Sequence, residues 1–509
     1  MTGEPTILPL RGLRLFFAAA ALALINFIVL VDLTVANVAV PHIAGGLAIS
    51  PTQGTWAITS YAVADAITVP LTGWLAGRLG QVRCLTFSLL GFGFFSFLCG
   101  MANSIEMLVL FRIFQGFCGG PLMPLTQTLM MRIFPKDKMG TAMGLWSFGT
   151  ITAPIFGPIL GGTLSDTAGW PWIFFINLPV VAICLFLILR LLPSVREPQT
   201  LNRIDYVGLA LLVLWVGAFQ LMLDIGREHD WFGSIEVVAL AVIAAVGCAA
   251  FVIWELYEEH PIVDIRLLAD RALSISIVVT LVALLGYFSV VVIAPLWMQQ
   301  TLGYTATNAG HVAAYSGLAA VLVTPLAGWL FSRVDCRLLI SLGFVWVGGV
   351  TLMRTGWNAE ADYWTFALPQ FMQGLGVPLF AIGLATLPMS NMAAKDVASA
   401  SGIMSFVRSI TVAIAAAFST TIWERDTRQA REGIVATLQD ASGWIAAVQQ
   451  KGAPVSQASA LMERGIEVQA ATVAAINVFA VCSVLFFIAA ALVWISPKSA
   501  PQRQIEIGH

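Results

Sequence analysis

Apolar residues in this chain come in long continuous runs, without the alternating or striped pattern of a water-soluble core. Fourteen such runs are legible, at 15–36, 54–76, 84–102, 106–131, 139–163, 172–192, 204–224, 235–257, 272–298, 308–331, 336–355, 363–389, 396–422 and 469–495. A helix needs about 20 mostly apolar residues to cross the hydrocarbon core of a bilayer, and each run is about that long. The pattern predicts an all-α, polytopic membrane protein with 14 transmembrane helices. The first run follows Arg11 and Arg14, exceeds the length of a signal-peptide core and has no small-residue cleavage pattern after it, so it is expected to be retained.

An even number of crossings puts both termini on one side. Lys and Arg select that side, because short cytoplasmic loops carry an excess of positive charge. Segments sharing the side of the N-terminus hold 17 Lys and Arg, whereas the short loops opposite hold only Arg227 and Arg354. Residues 1–14 and the tail 496–509 are therefore expected in the cytoplasm. The polar stretch 423–468 is expected outside, as an exposed linker with some helix.

Composition narrows the classes further. Hydrophobic residues make up 58% of the chain and charged ones 11%, against roughly a quarter charged in soluble proteins. A net charge of -2 gives no sign of nucleic-acid binding. Six of the seven cysteines lie in apolar runs, without metal-ligand or redox spacing, and the five histidines are scattered. No metal or cofactor is expected. No Walker-type phosphate loop is present, and no clustered nucleophile or acid pair suggests an enzyme.

The chain repeats itself faintly. Pro70-Leu71-Thr72-Gly73-Trp74-Leu75-Ala76-Gly77-Arg78 matches Pro325-Leu326-Ala327-Gly328-Trp329-Leu330-Phe331-Ser332-Arg333 at an offset of 255. Gln115-Gly116 recurs as Gln373-Gly374, and Gly144 with Ser147-Phe148 recurs as Gly402 with Ser405-Phe406, both at an offset of 258. The arithmetic gives a six-helix bundle at 15–192, two inserted helices with their loops at 193–271, and a second six-helix bundle at 272–495. Two parallel six-helix halves are the plan of transporters that rock about a midplane site.

Together with Asp32-Leu33-Thr34-Val35-Ala36-Asn37-Val38-Ala39-Val40-Pro41 at the end of the first span, Arg112 with Gln115-Gly116 in the fourth, and Gly157-Pro158 with Gly161-Gly162 in the fifth, these features resemble the EmrB/QacA-type drug:proton antiporters. That is the fourteen-span branch of the major facilitator superfamily, and the likeness is greatest to EmrB-like permeases of Gram-negative bacteria. It runs from about Leu30 to about Ser496. The resemblance implies proton-coupled efflux of hydrophobic or amphiphilic compounds across a bacterial inner membrane, with a dedicated metabolite such as a fatty acid or siderophore as the alternative cargo. It also implies contact of 423–468 with an EmrA-type periplasmic adaptor that leads to a TolC-type outer-membrane channel.

Physical reasoning assigns candidate residues. An ionised aspartate inside an apolar helix costs about 2.5–3.5 kcal/mol on insertion scales, so Asp32 is the leading proton carrier. The competing reading makes it a hydrogen-bond acceptor near the outer interface. Asp65 is a second intramembrane acid: a second protonation site, a contact for cationic cargo, or one member of a structural pair. Arg112 needs a partner when buried and is a candidate tuner of Asp32 or Asp65, or a purely structural salt bridge; Arg408 follows the same logic. Gly149, Ala153, Gly157 and Gly161 form a small-residue stripe that lets another helix approach closely. Pro154 and Pro158 permit bending. These residues and Gly162 resemble the antiporter motif of exporters. Gly73, Arg78, Gly80 and Arg83 resemble the superfamily's gating loop, although Gly77 stands where that pattern has an aspartate. The second copy has Arg333 and Asp335. Phe27, Trp146, Phe148 and Met404 are candidate linings of a broad substrate pocket.

Overall fold

The computed structural model describes residues 10–135, 138–192, 205–226, 231–331, 333–389, 392, 396–437 and 454–497. Lys136, Arg196, Arg203, Arg227, Lys395, Lys498 and Arg503, which entered the charge count, lie outside the described residues, as does the middle of 423–468. Every one of the fourteen expected runs is helical. The helices are α1 Gly12–Leu47, α2 Pro51–Thr68, α3 Thr72–Leu79, α4 Gln81–Gly100, α5 Ile105–Gly119, α6 Leu122–Ile133, α7 Met139–Thr167, α8 Trp172–Phe175, α9 Asn177–Leu191, α10 Tyr206–Ile225, α11 Ile235–Tyr257, α12 Arg271–Leu302, α13 Ala306–Phe331, α14 Cys336–Met353, α15 Tyr363–Thr386, α16 Val397–Thr437 and α17 Val455–Leu492.

Twelve spans among the described residues are long and apolar enough to cross a membrane. The other two expected crossings are helical as well: 54–76 divides into α2 and α3 around Pro70, and 139–163 lies within α7. Fourteen crossings are thus consistent with the fold. Local chemistry sets many of the helix starts. Ser50 and Gln53 form a reciprocal capping box ahead of α2, and Asp270 accepts the Leu273 amide at the start of α12.

Several helices outrun their expected ends. Pro41 stands at the end of the first-span pattern, yet α1 continues through it to Leu47. α16 continues unbroken to Thr437, and α17 starts as early as Val455. The linker expected from 423 is therefore helical at both of its ends. Polar residues there end the membrane crossing without ending the helix, because Glu, Arg, Gln and Ala are good helix formers in water.

The repeat is visible in the packing. In the first bundle α1 packs on α7 and α9, α2 on α5, and α4 on α5 and α9. In the second, α12 packs on α16 and α17, α13 on α15, and α14 on α15 and α17, which is the same pattern shifted along the chain. Gly116 and Gly374 act alike: a Cβ on Gly116 would lie 2.5 Å from the Tyr61 carbonyl oxygen, and one on Gly374 would strike that of Ser316. The guanidinium of Arg78 lies over the Trp74 ring at 5.5 Å, and that of Arg333 over Trp329 at 4.3 Å. The inserted pair α10 and α11 packs on itself, and α10 also meets α2 and α16.

The bundles meet unequally at their two ends. At the end where the chain begins (the basic face), Leu129, Met130, Ala142 and Met143 share one hydrophobic cluster with Ala327, Ile382, Ala385 and Ala398 of the second bundle. Toward the opposite face the clusters separate, one around Val31, Val35, Ile43 and Leu108, the other around Ile293, Trp297, Trp357 and Phe479. The protein is therefore shut at its basic face. Backbone proximity maintains the closure, since a Cβ on Gly140 would lie 2.5 Å from the Gly328 carbonyl oxygen. Gly140→Val is expected to prise this face open. Ala385→Cys, only 1% exposed at the position it replaces, should then react faster with a thiol reagent supplied from the basic side; an unchanged rate would show that this contact does not hold the face shut.

Candidate functional site

The central polar cluster is built by four elements of the first bundle. Asp32 of α1 receives hydrogen bonds from Arg112 Nη1 at 2.5 Å, Gln115 Nε2 at 3.2 Å and Asn177 Nδ2 at 2.7 Å. Arg112 also donates through Nε to the Ala57 carbonyl at 2.9 Å and through Nη1 to Gln115 Oε1 at 3.0 Å. The rings of Tyr61 and Phe174 flank its guanidinium at 4.3 and 5.5 Å. Asp32 is 2% exposed and Arg112 fully buried. Of the two acids that could have partnered Arg112, the structure selects Asp32. The carboxylate is a buried hydrogen-bond acceptor, closed to water in this conformation.

The small-residue stripe of α7 puts α1 in position. A Cβ on Gly149 would lie 2.9 Å from the Ala23 carbonyl, one on Gly161 2.9 Å from that of Val35, and one on Gly157 would collide with Thr34. Buried Ala153 accepts a hydrogen bond from Thr34 Oγ1 at 3.4 Å. Asn26 adds donors to the Trp146 carbonyl at 2.9 Å and Thr150 Oγ1 at 3.0 Å. The motif residues thus fix the helix that carries Asp32. Gly162 faces open space and takes no part. Pro154 and Pro158 lie within the helix, and their side chains are outside the described set, as is that of Asn37.

Asp65 sits elsewhere, half-buried on α2, with Ser409 Oγ of α16 3.5 Å from its Oδ2. Among the described residues no cation pairs with it. Arg408 donates to Gln127 Oε1 at 3.0 Å and Ser405 Oγ at 3.2 Å and lies 4.9 Å over the Trp146 ring. It bridges the two bundles and does not join the Asp32 cluster. Trp146 and Met404, expected to line a pocket, are 1% exposed core residues. The Trp146 indole donates to Thr126 Oγ1 at 3.2 Å, and Met404 packs with Leu273 and Met389. Phe148 is 38% exposed, and Phe27 meets the edge of Phe156 at 5.9 Å.

The gating-loop residues divide by role. Gly80 joins α3 to α4 at φ 85°, a conformation open to glycine at little cost. Gly73 lies so close to Ser399 of the second bundle that a Cβ would reach the Ser399 Cα at 2.9 Å. Arg78 stacks on Trp74, and Arg83 is exposed. In the second copy Asp335 pairs with Arg337 at 3.0 Å, inside its own bundle.

Arg354 is the residue that sequence reasoning missed. Placed in a short outer loop, it is fully buried. Its Nη2 donates to Gln370 Oε1 at 3.0 Å and to Gln373 Oε1, while Nε and Nη1 have no partner. The repeat could have exposed it: Gln373 answers to Gln115, and at the same offset of 258 Gln370 answers to Arg112. The second bundle therefore has a polar cluster at the same place, with the cation moved to the end of α14 and, among the described residues, no carboxylate facing it. Removing one member of a buried ion pair costs about 3–5 kcal/mol, whereas replacing both with apolar groups is often neutral. Arg112→Leu is accordingly expected to lower thermal stability in detergent markedly, and the double variant Asp32→Leu/Arg112→Leu to restore most of the loss.

Comparison with known proteins agrees with this architecture. Residues 22–416 match the family described as Major Facilitator Superfamily. The fatty acid resistance protein FarB of Neisseria gonorrhoeae is 38% identical over 496 residues, covering 96% of this chain and 97% of that protein. The multidrug export protein EmrB is 44% identical over 419 residues in Haemophilus influenzae, covering 82% of each chain. In Escherichia coli K12 it is 38% identical over 492 residues, covering 96% of each. The crystal structure of the human organic anion transporter MFSD10 superposes with a TM-score of 0.57 at 14% identity, over 94% of this chain and 98% of that one, a likeness of fold alone. Built as two matched helical bundles and similar along nearly its whole length to export proteins, the chain belongs to the Major Facilitator Superfamily, as an EmrB-like transporter.

Proposed function

We propose that the protein exports hydrophobic or amphiphilic compounds across the inner membrane in exchange for protons, by alternating access. The observation that carries this reading is the Asp32–Arg112 pair, sealed inside one bundle of a chain whose EmrB relatives are multidrug export proteins. The pair ties α1 to α5, and through the Ala57 carbonyl to α2. Proton uptake by Asp32 removes the charge that holds Arg112, so the tie loosens and α1 can shift against its neighbours. Half-buried Asp65 stands where α2 meets α16 and exchanges its proton in this conformation, while Asp32 does so in another.

The basic face is the cytoplasmic one in this scheme, with both termini inside. The state described here, shut at that face and divided into separate cores at the other, is then the state that releases cargo outward. The projecting ends of α16 and α17 are the surface offered to an EmrA-type adaptor, and through it to a TolC-type channel. A second reading, export of one dedicated amphiphile such as a fatty acid, is favoured by the 38% identity to FarB.

One charge crossing 100 mV supplies about 2.3 kcal/mol, which supports roughly a 50-fold concentration ratio at about 1.4 kcal/mol per decade. Vesicles containing the protein and loaded with a hydrophobic fluorescent dye test the scheme. An imposed proton gradient should drive dye against its concentration, and Asp32→Asn should let it relax to equality while still binding dye. Uphill transport persisting in Asp32→Asn would remove the proton carrier from the scheme. Asp65→Asn is expected to flatten the dependence of transport on external pH; a profile identical to that of the unaltered protein would exclude Asp65 from coupling. Competition by long-chain fatty acids but not by cationic dyes would favour the second reading.

A further inference from the structure

Outside the seam between the bundles, at the face opposite the basic one, the projecting ends of α16 and α17 enclose a crevice of about 1140 Å³. Its walls carry Arg428, Arg431 and Arg464 against Glu424, Glu463 and Glu467. Arg431 pairs with Glu463, and among the described residues Arg428 and Arg464 hold no ion pair or hydrogen bond. The crevice is thus neutral in sum and offers both signs of charge. Its floor is aromatic: Trp423 donates to the Ala471 carbonyl at 3.0 Å, and Trp231 to Thr421 Oγ1 at 3.1 Å. Trp231 and Thr421 also border a second, apolar groove of about 260 Å³, which runs down between Leu223 of α10 and Ile414, Ala417 and Phe418 of α16. Trp231 adopts φ 50°, a conformation that costs a bulky residue energy and persists only where the surroundings enforce it.

We propose that crevice and groove together bind one phospholipid of the adjoining leaflet, with an ethanolamine headgroup. The phosphate sits between Arg428 and Arg464, whose planar guanidinium groups suit phosphate oxygens. The ammonium, with three hydrogen-bond donors, lies against Glu467. An acyl chain follows the groove past Trp231, at the depth where tryptophan favours the membrane interface. The volume exceeds what one small ion fills and leaves ample room for a headgroup with its glycerol. The apolar continuation descends along two membrane-spanning helices, so the occupant is a resident of the bilayer. Balanced charge favours a zwitterion over an anionic lipid. The bound lipid joins α10 of the inserted pair to α16 of the second bundle, at the end where the cores have separated. The inference is independent of cargo and of proton coupling.

Native mass spectrometry of the full-length protein in detergent tests it, with phosphatidylethanolamine, phosphatidylcholine and phosphatidylglycerol of identical chains added separately. One tightly held phosphatidylethanolamine is expected, and Arg428→Ala/Arg464→Ala should weaken its binding roughly tenfold, the equivalent of about 1.4 kcal/mol. Arg428→Lys/Arg464→Lys, which keeps the charges, should retain most of it. Glu467→Gln should shift preference toward phosphatidylglycerol. Equal binding of all three lipids, a preference for phosphatidylglycerol in the unaltered protein, or indifference of phosphatidylethanolamine binding to the double alanine variant would overturn the proposal.

Discussion

A guanidinium cannot shed its charge at any working pH, and burying one obliges the surroundings to answer it. Arg112 organises the first bundle for that reason. Its contacts reach Asp32 on α1, the backbone of α2 at Ala57, Gln115 on its own helix and, through Asp32, Asn177 on α9. The positions of four helices are thereby referred to one charge pair. The small-residue stripe of α7 performs the complementary task, bringing α1 close enough for the pair to form. The glycine stripe of the fifth span and the acid of the first are parts of one construction.

The second bundle repeats the geometry and changes the chemistry. Arg354 occupies the matching cluster but is answered by two glutamines. A carboxylate can gain and lose a proton, whereas a glutamine amide cannot. The two halves are thus alike as mechanical bodies and unlike as electrostatic ones. The duplicated fold supports rocking, while among the described residues only the first of the two clusters sets a carboxylate against its arginine.

Much of this was legible in the chain. Among the described residues each α-helix overlaps one of the apolar runs, because hydrocarbon thickness leaves little freedom in the number of residues that cross it. The internal match of Trp74 and Arg78 with Trp329 and Arg333 survives as the same cation–ring contact in both bundles. Sequence failed where the deciding quantity is three-dimensional. Arg354 borders an apolar run and reads as a loop residue until the repeat is followed to Gln370 and Gln373, and packing shows it buried. Trp146 and Met404 look like pocket linings by composition, but whether a residue lines a cavity depends on which face of the protein is shut. Asp32 and Asp65 are both acids within apolar runs, and only the fold shows three donors around the first and a single serine beside the second.

The uninterrupted course of α16 carries a mechanical corollary. Its 41 residues, at about 1.5 Å each, make a rod of about 60 Å, some twice the thickness of the hydrocarbon core. In its first half it grips the other bundle through Arg408 and Gln127, and its far end is rich in charged and polar residues. A rod pivoted in this way amplifies: a small angular change at the seam becomes a displacement of several ångströms beyond the membrane. The helix can thus signal the state of the transport cycle to whatever rests on its tip.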